Sequence, residues 1–185
     1  MNRLTRRMEQ LKGEGGKAFI AYIMAGEPSW EAVEDIICEL ERAGVTAVEL
    51  GVPFSDPIAD GPVIQAAANR ALARGVTLQE IFDRVSALRS RTELPLLLMG
   101  YWNVFLQYGR ERCLEAARSA GVDGFIIADL PPEADPEFMD LAAARQVCTV
   151  LLASEQTPED RLRGILASAS GFLYYVPQLG ITGWN

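Results

Sequence analysis

Apolar positions along this chain follow two spacings, short continuous runs and stripes at helical periodicity. Continuous apolar runs predict buried strands, and they lie at residues 18–23, 46–50, 94–99, 122–127, 147–153 and 172–176. Between the runs, apolar residues recur every three or four positions, as Val33, Ile37 and Leu40 do, which predicts amphipathic helices. About six strand–helix units result, and their alternation predicts a parallel sheet.

Polar residues at the helix ends support this division of the chain. Ser29, Thr77, Asp135 and Thr157 each precede a helical stripe and are predicted to be N-caps, while Gly44 is predicted to end the first of these helices. Further helices are expected at residues 4–11, near 63–72 and at 110–120.

Two architectures of the α/β class are compatible with this pattern. One is an open doubly wound sheet, and the other is a (β/α)8 TIM barrel of which about six of eight strand–helix units would be present. Both place their chemistry at the C-terminal ends of the strands. Residues 1–185 are expected to form one domain in either case.

Composition narrows the class of protein and its partners. With 49% apolar residues, 23% charged residues and a net charge of -8, the chain is expected to be a cytoplasmic protein that binds neither nucleic acid nor membranes. Cys38, Cys113 and Cys148 are isolated and are expected to be buried free thiols. The sequence contains no histidine, so proton transfer must fall to other groups, above all carboxylates.

The strongest candidate chemistry lies at residues 46–62. Side chains alternate along a strand, so Glu49 shares a face with Ala47, opposite Val48 and Leu50. A carboxylate in a strand covered on both faces is costly unless it is functional or paired with an arginine or lysine.

A loop rich in proline and glycine follows this strand and carries Asp56 and Asp60. Either aspartate could be a turn residue that bonds its own backbone. Glu49 and one of these two aspartates could instead form an acid/base pair at the end of the strand.

Five ordered motifs resemble the α subunit of tryptophan synthase. They are YIMAGEP at residues 22–28, ELGVPFSDPIADGP at 49–62, MGYWN at 99–103, ADLP at 128–131 and GITG at 180–183. The resemblance implies a (β/α)8 barrel without cofactor or metal, which cleaves indole-3-glycerol phosphate to indole and glyceraldehyde 3-phosphate. It implies that Glu49 shuttles a proton between the glycerol hydroxyl and indole C3. Asp60 would hold the indole N–H and stabilise positive charge on the ring.

The same resemblance implies further contacts with the substrate. Tyr22 and Tyr101 would line the indole pocket, Tyr174 would lie beside the substrate, and Thr182 and Gly183 would belong to a mobile loop over the site. Each tyrosine could also be a core aromatic with a bonded hydroxyl.

A protein partner is implied as well. Pro53, Asp56 and Asn103 would face a β subunit in an α2β2 heterotetramer, and the apolar residues of the loop are expected to be exposed at the barrel rim.

Three departures from the family pattern affect these expectations. Residues 177–179 (PQL) stand where the family usually has a serine and an arginine, which bears on loop closure and on coupling to the β subunit. Residues 154–156 (SEQ) replace a strand end that usually contains a proline. The sequence also ends at Asn185, where the family continues with two strand–helix units that bind the substrate phosphate. Residues 1–185 alone are therefore expected to be inactive and prone to association. Two alternatives stay open, a non-catalytic chain that binds or stabilises a β-type partner and a related lyase that releases free indole.

Overall fold

Parallel strands alternate with helices along residues 1–177, the part of the chain that this computed structural model describes. The strands are β1 (Ile20–Met24), β2 (Ala47–Gly51), β3 (Leu96–Gly100), β4 (Gly124–Ile127), β5 (Cys148–Ser154) and β6 (Leu173–Val176). The α-helices are α1 (Arg3–Gly13), α2 (Trp30–Arg42), α3 (Pro62–Ala73), α4 (Leu78–Leu88), α5 (Trp102–Tyr108), α6 (Arg110–Ala120), α7 (Pro136–Ala144) and α8 (Glu159–Ser168). A short 3-10 turn, Pro132–Ala134, precedes α7. The ends of the predicted strands are correct to within two residues.

The order of the strands decides between the two predicted architectures. The six strands pair in the order β1-β2-β3-β4-β5-β6, and all five pairings are parallel. A doubly wound sheet reverses its strand order at the point where ligands bind, whereas a barrel adds each strand beside the previous one. The consecutive order therefore favours the barrel.

The two faces of the sheet carry separate apolar clusters. The cluster on the outer face packs under the helices and includes Val48 and Leu50. The cluster on the inner face consists of Leu4, Ala47, Leu97, Ile126, Cys148 and Val150. The predicted alternation along β2 is thus confirmed, and Glu49 lies on the inner face beside its register partners Tyr22 and Leu97.

Three of the four predicted N-caps are confirmed. Side-chain oxygens accept hydrogen bonds from backbone N–H groups at Ser29 (3.3 Å), Thr77 (3.2 Å) and Asp135 (3.0 Å). Gly44 follows the end of α2 with a φ of 85°, a conformation that favours glycine. These caps depend on neighbours within three or four residues, so a local pattern was sufficient to find them.

The predicted cap at Thr157 is wrong. Its hydroxyl accepts a hydrogen bond from the backbone N–H of Ser154 at 2.9 Å, which closes the turn after β5. Pro158 then occupies the N-cap position of α8, without a side-chain hydrogen bond.

Helix α5 was not predicted from the sequence. It has only seven residues, and its first N–H, from Trp102, donates to the Asp129 carboxylate at 2.7 Å. Because this capping group comes from the loop after β4, the sequence near α5 contains no cap signal. Asn103 consequently lies on a helix.

The opposite end of the barrel is held by a buried carboxylate. Only 1% of the Asp123 side chain is exposed, and it accepts hydrogen bonds from the Arg89 guanidinium at 2.9 Å and from the Leu96 N–H at 3.0 Å. Arg3 lies 3.6 Å from its other oxygen. Helix α1 places Leu4, which is fully buried, in the inner cluster at the same end.

Candidate active site

A cavity of about 300 Å³ opens at the C-terminal ends of the strands. It brings together five residues that the sequence analysis had singled out, Tyr22, Glu49, Asp60, Tyr101 and Tyr174. They come from β1, β2, the loops after β2 and β3, and β6, so only the curvature of the sheet makes them neighbours.

Glu49 projects from β2 into this cavity and is 7% exposed. Among residues 1–177, no arginine or lysine forms a salt bridge with it, so the interpretation as a structural ion pair has no support there. Burial raises the pKa of the Glu49 carboxyl to about 7, because the neutral form is favoured where water is excluded. At neutral pH the group can therefore both donate and accept a proton.

Asp60 lies across the cavity on the loop between β2 and α3. The N–H of the preceding residue, Ala59, donates to the Tyr101 hydroxyl at 3.0 Å. The Gln65 side-chain amide donates to the main-chain carbonyl of Asp60 at 2.8 Å. Burial raises the pKa of Asp60, and the nearby Tyr101 hydroxyl opposes this shift. The loop is thus fastened on both sides of the carboxylate.

Tyr22 reaches the cavity across the end of β2. A Cβ atom at Gly51 would lie 2.2 Å from the Tyr22 hydroxyl oxygen, so only glycine leaves room for the ring there. The pKa of Tyr22 is raised by burial and, secondarily, by the nearby Asp60 and Glu49 carboxylates. Tyr22 therefore remains a neutral hydrogen-bonding group at physiological pH.

Tyr174 approaches from β6, at the other side of the sheet. It packs against the inner cluster, and burial together with the Glu49 charge raises its pKa.

The apolar wall of the cavity was missed by the sequence analysis. Met99, Leu152 and Ile64 line it together with the residues already described. Met99 and Leu152 lie two positions beyond the inner-facing Leu97 and Val150, so counting alternate positions along β3 and β5 could have found them.

The residues exposed on the loop between β2 and α3 are not the ones expected from the sequence. Pro53 is buried, and Phe54 packs on Tyr101 with ring centroids 5.4 Å apart, so the expectation of an exposed Pro53 is wrong. The chain turns inward directly after β2 to cover the cavity. The exposed apolar side chain of the loop is instead Ile58, which is 80% exposed.

Asp56 and Asn103 are both exposed at the rim. Asp56 accepts hydrogen bonds at its carboxylate from the Ser55 hydroxyl (2.5 Å) and at its carbonyl from the Ile58 N–H (2.9 Å). These bonds agree with the interpretation of Asp56 as a turn residue. Its side chain remains exposed to solvent.

The predicted lid residues Thr182 and Gly183 lie outside the described residues, as do Gln178 and Leu179. Pro177 is the last described residue and is exposed.

Metal-binding and membrane-spanning features were also sought in residues 1–177. No three histidine, cysteine, aspartate or glutamate side chains converge there in a geometry that could hold a metal ion. In the same residues, no helix combines the length and apolar character needed to cross a bilayer. Cys38, Cys113 and Cys148 are buried free thiols, as predicted.

Two carboxyl groups of different character thus face one aromatic-lined cavity. Burial raises the pKa of Glu49 to about 7, and no cation pairs with it among residues 1–177, whereas Asp60 lies on a loop held by Tyr101 at Ala59 and by Gln65 at its own carbonyl. A carboxyl group whose pKa is raised by burial, placed in one cavity with a second carboxyl group, is a candidate for acid/base catalysis.

Comparisons with known proteins agree on one family. The sequence model described as "Tryptophan synthase alpha chain" matches residues 8–185. The tryptophan synthase alpha chain of Caldanaerobacter subterraneus subsp. tengcongensis is 43% identical over 183 residues, which are 99% of this chain and 70% of that protein.

Solved structures give the same result. The crystal structure of tryptophan synthase subunit alpha from Legionella pneumophila superposes with a TM-score of 0.91 and 38% identity, over 95% of this chain and 68% of that one. A structure of the tryptophan synthase α2β2 complex from Pyrococcus furiosus matches with a TM-score of 0.80 and 38% identity, over 85% and 67% of the two chains. The architecture is that of a (β/α)8 TIM barrel, and the chain belongs to the tryptophan synthase alpha chain family.

Proposed function

We propose that this chain supplies the acid/base groups for the retro-aldol cleavage of indole-3-glycerol phosphate to indole and glyceraldehyde 3-phosphate, in the biosynthesis of tryptophan. The observation that carries the proposal is the placement of Glu49, whose pKa is about 7, in one cavity with Asp60. A cytoplasmic location and a single barrel domain over residues 1–185 belong to the same proposal.

Glu49 performs both proton transfers in this scheme. Its neutral carboxyl group first protonates C3 of the indole ring, which places a positive charge on the ring nitrogen. The resulting carboxylate then removes the proton from the neighbouring glycerol hydroxyl. The bond between the carbon that bears this hydroxyl and C3 of indole then breaks. Its electron pair returns to the ring, and the carbinol becomes the aldehyde. Glu49 ends the cycle protonated, as it began, and a pKa near 7 makes both directions accessible.

Asp60 stabilises the charge that develops between these two transfers. Its carboxylate accepts a hydrogen bond from the indole N–H and stabilises the positive charge on the ring. This charge is largest when C3 is protonated. The side chains of Tyr22, Tyr101 and Tyr174 supply an aromatic wall for the flat indole ring.

Asp60→Asn tests this scheme directly. The substitution keeps the size of the side chain but removes its charge, and indole release is expected to fall by about 10² to 10³-fold. Indole would be measured from indole-3-glycerol phosphate with the full gene product, with and without a tryptophan synthase β subunit. Asp140→Asn, an exposed change on α7, is the matched control. Normal turnover in Asp60→Asn would refute the role of Asp60.

The same assay separates the alternatives. Absence of indole release under both conditions, with retained β-subunit binding, would support a non-catalytic partner of the β subunit. Fast release that the β subunit does not alter would support a lyase that acts alone.

The proposed partner is a tryptophan synthase β subunit, as in the α2β2 complex of the Pyrococcus furiosus relative. Asp56 and Ile58 are exposed on the loop after β2, and Asn103 is exposed on α5, after β3. An exposed apolar side chain on a loop that is held by hydrogen bonds is suited to such an interface.

Asp56→Ala and Ile58→Ala are each expected to raise the Kd for the β subunit about tenfold, the effect of truncating one of the minority of interface residues that cost more than about 1 kcal/mol. Calorimetric titration with the β subunit would measure this change, and Asp140→Ala serves as the control. Unchanged affinity in both variants would move the interface elsewhere.

A further inference from the structure

Helix α3 holds the loop that carries Asp60 from its C-terminal side. The helix begins at Pro62, two residues after Asp60, and its first turn carries Ile64, which lines the cavity. The side-chain amide of Gln65 donates to the Asp60 carbonyl at 2.8 Å. The position of α3 therefore affects both the Asp60 loop and the cavity wall.

Apolar packing contributes little to the position of α3. Its buried residues, Ala68 and Ala71, are both small. Stabilisation by burial grows with the apolar area removed from water, so two alanines hold a helix less firmly than larger side chains do. The next helix, α4, buries five larger residues: Leu78, Ile81, Phe82, Val85 and Leu88.

An ionic contact joins the far end of α3 to the loop after β1. The Glu27 carboxylate on that loop accepts hydrogen bonds from Arg70, at 2.6 Å, through one oxygen and from Arg74 through the other. Arg74 also donates to the Gly26 carbonyl at 3.3 Å. Only 14% of the Glu27 side chain is exposed. The side chains of Glu27, Arg70 and Arg74 are called the Glu27 clamp below.

The same two segments also touch beside the clamp. Val76, which follows α3, is buried. A Cβ atom at Gly26 would lie 2.6 Å from Cγ2 of Val76, so the loop after β1 and the end of α3 are in close contact. The clamp therefore acts where the two segments already fit together.

We propose that Glu27 is a positioning residue for Asp60: by binding Arg70 and Arg74 it fixes the angle of α3, and through α3 the place of the Asp60 carboxylate in the cavity. Gly61 lies about 13 Å from Arg70 along the helix axis, at about 1.5 Å per residue. A rotation of α3 by about 5° at the clamp would move the start of the helix by about 1 Å. The inference rests on the proposed function for its catalytic meaning.

The charge and exposure of the clamp predict a loss of rate without a comparable loss of stability. Hydrogen bonds from Arg74 and Arg70 lower the pKa of Glu27, so its carboxylate is ionised at neutral pH. The side chains of Arg70 and Arg74 are 54% and 44% exposed, and ion pairs that water reaches contribute little to stability. A misplacement of about 1 Å can nevertheless lower a rate by about 10²-fold.

Glu27→Gln tests the inference, because it keeps the size of the side chain and removes its charge. With the full gene product, kcat for indole release is expected to fall by about tenfold or more, and KM to change less than kcat. The thermal midpoint should fall by less than about 4 °C. Glu27→Asp, which keeps the charge, should retain more of the rate. Glu39→Gln is the matched control, since it removes an exposed ion pair with Arg42 on α2.

Combined variants distinguish positioning from a purely structural role. If Glu27 acts through Asp60, Glu27→Gln should lower turnover much less in an Asp60→Asn background than in the wild type. The pair Arg70→Gln/Arg74→Gln should lower kcat as Glu27→Gln does, with no further loss when the three changes are combined. Equal losses in the Asp60→Asn and wild-type backgrounds would contradict the inference.

Amide hydrogen exchange gives a readout that does not depend on turnover. The Gln65 N–H donates to the Gly61 carbonyl in the first turn of α3, and the Ile81 N–H donates to the Thr77 carbonyl in α4, both at 3.0 Å. In Glu27→Gln, exchange is expected to be faster by about tenfold at Gln65 and unchanged at Ile81.

Unchanged exchange at Gln65 would overturn the inference, and so would an equal acceleration at Ile81, which would indicate a general loss of stability. Normal kcat in Glu27→Gln, with an active wild type, would overturn it as well. Failure of the wild type to release indole would refute the proposed function, and the exchange rates would still decide whether Glu27 holds α3.

Discussion

Glu49→Gln is expected to lower indole release by about 10² to 10⁴-fold, the range that a general acid/base typically contributes. Glutamine preserves the size of the side chain but can neither protonate C3 nor remove the hydroxyl proton. Binding of the substrate should change little, since the aromatic wall of the cavity is retained. The loss is therefore expected in kcat and not in KM.

The same substitution is expected to stabilise the fold above pH 7. The pKa of Glu49 is raised from about 4.5 to about 7 by burial, so folding favours its neutral form. Its contribution to stability is complete below pH 4.5 and is lost as the pH rises through 7, because the unfolded chain ionises first. A shift of this size corresponds to about 3 kcal/mol. Glutamine does not ionise and avoids this loss.

Urea unfolding at pH 4 and pH 8 would measure the effect. The free energy of unfolding of Glu49→Gln, relative to the wild type, should be greater at pH 8 than at pH 4 by up to about 3 kcal/mol. Glu9→Gln, an exposed change on α1, should show no such difference between the two pH values. A pH-independent difference for Glu49→Gln would mean that the carboxyl is not held neutral by burial.

Arg89→Met is expected to reduce the free energy of unfolding by about 3–5 kcal/mol, the usual cost of breaking a buried ion pair from one side. Arg89 is 10% exposed and donates to the Asp123 carboxylate and to the carbonyls of Gly121 (2.9 Å) and Leu94 (2.7 Å). Among residues 1–177, its loss would leave Arg3, 3.6 Å away, as the one cation paired with the Asp123 carboxylate.

Thermal or urea unfolding would test this expectation, with Arg118→Met as the control because Arg118 is exposed on α6. The double variant Arg89→Met/Asp123→Asn should recover part of the loss, since it removes the stranded charge. Turnover by the folded fraction should be close to normal, because the cluster lies at the end of the barrel opposite the cavity. A loss below about 1 kcal/mol would contradict the structural role of this pair.

Local pattern was sufficient for the six strands, for the helices other than α5 and for the alternation of side chains around Glu49. Alternation along a strand predicted that Glu49 shares a face with Ala47, opposite Val48 and Leu50, and the two apolar clusters confirm this division. The caps at Ser29 and Asp135 could be predicted for the same reason, since each side chain bonds an N–H three residues ahead. The motifs also pointed correctly to the family.

Long-range contacts decided the rest. Periodicity could not distinguish a barrel from an open sheet, because the order in which strands pair is a property of the whole chain. The cap of α5 comes from Asp129, and the Tyr101 hydroxyl bonds Ala59, 42 positions away.

Burial of Pro53 and of the Asp123–Arg89 pair likewise depends on segments that meet only in the folded barrel. The sequence by itself determined which residue types face inward. Only the tertiary structure decided which of them share a cavity, since hydrogen bonds and desolvation act between groups that are close in space, however far apart they lie along the chain.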